Sequence, residues 1–178
     1  LDTPMEPYPL KKVEIPSADL GNRGLLFAGI GWYTRLEFPY LNNIMEQGEY
    51  VHIEKAGLKI YPEYGTYSDF NALPDSIFLY IADENNVVTD AVKDYLGKQV
   101  QGGKLVKDDL FLGNTYYYFD VTQFMKEELG ASGKYKHNLQ LVFNSDDYTK
   151  TLKNLTFSAP NGQNPIILQL NYKIYESY

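Results

Sequence analysis

Residues 51–62 read VHIEKAGLKIYP, and the fold turns on this stretch. Ala56, Leu58, Ile60 and Pro62 fall on one side of an extended chain; Lys55, Lys59 and Tyr61 fall on the other. A period of two marks a half-buried strand. Val51 and Ile53 are out of phase with that set, which predicts a bulge or kink near Glu54.

Working outward, the same signature recurs. In 32–38, Trp32, Thr34, Leu36 and Phe38 alternate with Tyr33, Arg35 and Glu37, and Pro39 closes the run. Residues 24–31 (GLLFAGIG) and 76–82 (SIFLYIA) are short apolar runs. A long strand is predicted over 110–121, with aromatics at Tyr116, Tyr117, Tyr118 and Phe119, and further strands over 138–143, 152–158 and 166–175. Turns are expected at 83–86, 101–103 and 160–162, and a polar loop at 64–74. Residues 87–96 fit either a short helix or an irregular connection. One helix is predicted, with Asp120 as its cap, Gln123 as the capping-box partner and Gly130 as its stop; Val121, Phe124, Met125 and Leu129 keep helical spacing. Eight to ten strands, one short helix and no helix after each strand predict an antiparallel sandwich or barrel.

Composition bounds the function. The 178 residues carry a net charge of −7, which disfavours nucleic acid and an anionic membrane surface as partners. Cysteine is absent, so thiolate metal sites and cysteine nucleophiles are excluded. No apolar run is long enough to span a bilayer as a helix. The chain begins at Leu1, which reads as a processed chain or a piece of a longer one. Pro4, Pro7, Pro9 and Pro16 predict an extended arm or linker over 1–20, followed by one domain over 21–178.

Two blocks carry a resemblance. The first is Thr34-Arg35-Leu36-Glu37-Phe38-Pro39, followed after a loop by Ile53-Glu54-Lys55-Ala56-Gly57-Leu58-Lys59-Ile60-Tyr61. The second is Tyr118-Phe119-Asp120-Val121-Thr122, a short helix, then Asn138-Leu139-Gln140-Leu141-Val142-Phe143. Their order resembles the DNRLRE-type jelly-roll domains, which are related to carbohydrate-binding modules. The glycine-rich 27–31 strand and the closing 168–172 strand resemble an uncharacterised lipoprotein family of the Bacteroidetes. The resemblance implies a jelly-roll-like antiparallel β-sandwich with one short α-helix. It also implies a place outside the cytoplasm, lipid-anchored at the cell surface or outer membrane through a cysteine upstream of Leu1. It transfers no catalytic residues.

Candidate chemistry is sparse. His52 and His137 form neither an HExxH motif nor an i,i+4 pair, and both read as solvated side chains. There is no G-x-S-x-G elbow. Glu37, Glu54, Asp83 and Asp120 are available for a carboxylate pair, but Asp120 is explained as a helix cap and Glu37 as an ion-pair partner of Arg35. Two oxygen-rich turns make calcium the one candidate cofactor, with Asp83, Asn85, Asp146 and Asp147 as ligands; neither fits the EF-hand spacing. Aromatic rings can stack on the apolar face of a sugar, and the candidates are Tyr64, Tyr67, Phe70 and Trp32. The loop tyrosines Tyr64 and Tyr67 are preferred, because Trp32 shares a face with Leu36 and Phe38. Asp75-Ser76-Ile77 matches a short O-glycosylation pattern of exported Bacteroidetes proteins, and Asn154-Leu155-Thr156 an N-glycosylation sequon. The expected role is a non-catalytic surface module that binds a polysaccharide. The alternative is a structural domain that binds another surface protein, and third comes a glycan-active enzyme. A glycan binder needs an exposed aromatic patch with polar neighbours, and an interaction domain needs an apolar patch or an open sheet edge.

Overall fold

The computed structural model describes residues 14–46, 50–94, 96–97, 99–108, 114–132, 137–144, 151–158 and 165–175. Ten strands are present among them: β1 (Arg23–Phe27), β2 (Thr34–Leu36), β3 (Tyr50–Ile60), β4 (Ser76–Ala82), β5 (Val88–Ala91), β6 (Gly102–Val106), β7 (Tyr116–Asp120), β8 (Asn138–Phe143), β9 (Asn154–Ser158) and β10 (Ile167–Tyr175). Two helical segments join them, the single turn α1 (Asn42–Met45) and α2 (Thr122–Ser132), besides a 3-10 turn at Ser17–Leu20.

All pairings are antiparallel. One sheet runs β10-β3-β7-β6-β4-β8-β2, with β5 sharing an edge of β4 with β6; β1 and β9 form a second, two-stranded sheet. The sheets curl into a sandwich-like half-barrel with one helix, the jelly-roll-like all-β architecture expected from the sequence.

The 51–62 stretch forms β3, and the predicted irregularity is there. Against β10, Lys55 pairs with Asn171 and Ile53 with Tyr172, so Glu54 is the extra residue. The bulge returns Val51 and Ile53 to the buried side occupied by Ala56, Leu58 and Ile60. Opposite them, α2 buries Phe124, Met125 and Leu129, and Val121 just before it is buried too. Each such side chain contributes about 1.5–3 kcal/mol, which holds a helix too short to persist alone.

Several local expectations are corrected. Residues 102–103 are not a turn but the start of β6. A Cβ on Gly103 would lie 2.2 Å from the Phe119 ring, so glycine serves close strand-to-ring contact rather than chain reversal. The strand expected over 110–121 spans only Tyr116–Asp120, with 109–113 outside the described residues. Residues 88–91 are strand β5. Gly130 does not stop α2, which runs on to Ser132.

The capping box is replaced by a longer-range contact. The Asp120 carboxylate accepts from the Thr122 amide (2.9 Å) and hydroxyl (2.5 Å), but Gln123 reaches forward to Glu127. The Asp120 backbone is instead met by the Gln101 carboxamide, which accepts from its N–H and donates to its carbonyl. Thr122 Oγ1 also accepts from the Ala56 amide (2.9 Å), and the Val121 amide donates to the Ala56 carbonyl (3.0 Å). The two blocks singled out in sequence are thereby hydrogen-bonded to each other.

Candidate functional site

The loop after β3 is the best-built candidate. Pro62 bridges Phe157, and the Glu63 amide donates to the Thr156 carbonyl (2.8 Å), so the chain leaves β3 along the free side of β9. Arg23 on β1 clasps the Glu63 carboxylate at 2.7 Å. Thr66 folds back on the Glu63 carbonyl through both its amide and its hydroxyl. Ser68 and Asn71 exchange backbone hydrogen bonds. The Asn71 carboxamide donates to the Thr66 carbonyl (3.0 Å) and reaches Asn154 on β9 (3.5 Å). At the far end the buried Tyr117 hydroxyl donates to the Pro74 carbonyl (2.6 Å). The loop's turns are thus closed by its own polar groups, and its ends are tied to β1, β7 and β9.

On this scaffold Phe70 is fully exposed and Tyr64 is 68% exposed, while Tyr67 is half-buried. Ser68 and Asp69, beside Phe70, are exposed as well. The arrangement offers apolar rings with polar neighbours on a hydrogen-bonded loop. Trp32 is half-buried and bridges Phe27, whose register partner is Asn154, the same residue Asn71 reaches from the other side. The Trp32 turn therefore meets β1, and the loop meets β9, at the same Phe27–Asn154 register pair.

The carboxylates considered for catalysis are each engaged elsewhere. Glu37 pairs with Arg35, which also donates to Asn86, and Glu54 pairs with Lys173. Asp83 Oδ1 accepts from the Asn85 and Val87 amides, both at 2.9 Å, and so closes the 83–87 turn. Asn86 takes a left-handed conformation there. Asp146 and Asp147 lie outside the described residues. Among those described, no three His, Cys, Asp or Glu side chains gather in a metal-holding group. His52 is exposed as expected, but His137 is not simply solvated: its Nδ1 lies 2.5 Å from Glu128, which joins the start of β8 to α2.

Sequence reasoning missed a concavity elsewhere in the fold. A cleft of about 380 Å³ opens between α2 and the segment after β5. Ile81, Val92 and Phe124 line its apolar part, and Asp90, Lys93, Gln123 and Glu127 its polar part. Lys93 and Asp90 pair at 2.8 Å. The hydrogen bond from Lys93 holds the Asp90 carboxyl below the usual carboxylate range, and the same bond raises the Lys93 ammonium. No spacing in the sequence links residues 90–97 to 123–127; only the folded chain does.

No family model, curated protein or solved structure matches the chain. Among the described residues no helix is long and apolar enough to cross a membrane.

Proposed function

We propose that this chain is a non-catalytic binding module that takes a glycan on the 63–75 loop. The observation that carries the reading is the full exposure of Phe70 on a loop closed by its own hydrogen bonds. A ring held ready in this way stacks on the apolar face of a pyranose without first ordering the chain, which lowers the entropic cost of binding. Ser68 and Asp69 stand beside it to meet sugar hydroxyls. Placement at a cell surface, in a Bacteroidetes-type lipoprotein, rests on the resemblance of the 27–31 strand, ahead of the 34–39 block, and of the closing 168–172 strand. A second reading, a protein-interaction domain, draws support from the outer edge of β10, which no other strand covers among the described residues.

Affinity-gel retardation over a panel of polysaccharides, with and without calcium, tests the first reading. One glycan should retard the chain. Phe70→Ala and Tyr64→Ala should each weaken that binding by about thirtyfold, the effect of losing a central aromatic contact. Both variants should keep the wild-type melting temperature, because those side chains are exposed. Absence of retardation across the panel, or binding unchanged in both variants, would overturn the assignment.

A further inference from the structure

Among the described residues, one end of the larger sheet is a long strand with a single neighbour. At one end of the eight-stranded sheet, β2 pairs over only three residues. At the other end β10 is nine residues long, is held by β3 on one side, and meets no other strand among the described residues. It contains no proline or glycine. Its one charged side chain is Lys173, already paired with Glu54 on β3. Exposed edges of folded proteins are ordinarily blunted by shortness, charge, proline or bulging. Here the bulge lies in β3, one strand inward.

We infer that the β10 edge pairs with the β10 edge of a second copy of this chain, antiparallel across a two-fold axis, to make one continuous sheet. This rests on the reading of the chain as an interaction domain and names its partner. Side-chain direction restricts the register. A two-fold axis perpendicular to the sheet keeps each face on its own side, so only residues of the same face can stand opposite each other. Full overlap of β10 with itself then places Asn171 on the axis.

On the solvent face Asn171 meets Asn171, Gln169 meets Lys173, and Ile167 meets Tyr175. On the core face Leu168 meets Ile174, and Leu170 meets Tyr172. The exposed apolar groups of this edge sit at its two ends, Ile167 at one and Ile174 and Tyr175 at the other, where Tyr50 adds its ring at 5.9 Å from Tyr175. Antiparallel self-pairing brings the first end onto the second. β-Branched and aromatic residues set opposite each other are favourable cross-strand pairs. The charges also fit: Lys173 faces a neutral glutamine, so the net charge of −7 on each copy is not concentrated at the seam.

The register makes Gln169 a discriminating position, because it is exposed in the single copy and faces the partner's Lys173 in the pair. Sedimentation equilibrium of the full chain should show a concentration-dependent dimer. Gln169→Lys sets two like-charged pairs across the axis and should weaken dimerisation about fivefold; Gln169→Glu sets two opposite-charged pairs and should strengthen it by a similar factor. Opposite signs for the two variants are specific to this register. A chain that stays monomeric at every concentration, or a dimer that responds equally to both variants, overturns the proposal.

Amide hydrogen exchange on dilute monomer separates the two levels of failure. Rapid exchange at alternate β10 amides without a dimer leaves the edge open to another partner and removes only self-pairing. Protection of every β10 amide in the monomer means the chain covers its own edge, which removes the interaction reading as well.

Discussion

Gly103 lies beneath the Phe119 ring, and Phe119 is fully buried. A methyl group there would come 2.2 Å from the ring, inside any tolerable contact, and a ring packed on all sides has nowhere to move. Gly103→Ala should therefore destabilise the fold by about 2–3 kcal/mol, at the upper end of ordinary overpacking. Gly102→Ala, whose Cβ would meet the Phe78 ring at 3.5 Å, should be nearly neutral. Urea denaturation of the two variants checks the contrast; equal effects would mean that Phe119 can yield. The pair also shows where single-residue legibility stops. Gly-Gly in sequence reads as a turn because glycine frees the backbone. The reason for glycine here is a ring contributed by another strand, and no local window contains it. Tyr64 was legible for the opposite reason: a ring in a Gly, Ser and Asp loop is not readily explained by packing, and it is exposed in the fold.

β3 was legible down to its irregularity, because a change of phase within one strand is a local signal of a bulge. The cap of α2 was legible only in part. Asp120 binds the first turn as its position suggests, but its other partner, Gln101, comes from the segment entering β6 and not from the helix. The bulge carries its own electrostatic device, the Glu54–Lys173 clamp between β3 and β10. The hydrogen bond from Lys173, reinforced by its charge, holds Glu54 below the usual carboxylate range; the reciprocal bond raises Lys173 above the usual lysine range. A lowered carboxylate stabilises above its ordinary range and loses that contribution as pH falls through the lowered native value. A raised ammonium stabilises below its ordinary range and loses that contribution as pH rises through the raised native value. The clamp should thus act evenly through neutrality and fail at both extremes. Both groups are exposed, so the effect should be small and should shrink in molar salt. Glu54→Gln should lower the urea midpoint slightly at neutral pH and converge with wild type in strong acid. A midpoint difference that persists undiminished there would assign the loss to packing at the bulge instead.

At the scale of the whole molecule, alternation tells which face of a strand is buried but not which strand lies beside it. Leu25 pairs with Thr156, Leu36 with Leu139, and Leu58 with Leu168, so strands from the first third of the chain are closed by strands from its last third. The sandwich class could be read from strand count and spacing, but the order of the sheet, the place of β10 at its end and the cleft beside α2 could not. Each depends on contacts between residues far apart in sequence. The same topology constrains how the chain folds. Neither sheet can be completed until the 139–168 region returns to the 25–58 region, and the entropy of closing those loops is lost before the pairing repays it. Long-range contacts outnumber local ones, and α2 is the one helix longer than a single turn among the described residues. Refolding should accordingly fall in the milliseconds-to-seconds range of proteins dominated by non-local strand pairing. The measurement is stopped-flow fluorescence after a brief unfolding pulse, short enough to keep the nine prolines in their native isomers, so that slow X-Pro isomerisation does not stand in for strand pairing. A main phase in microseconds would show that the rate is set by local structure, and would contradict a sheet closed by its two ends.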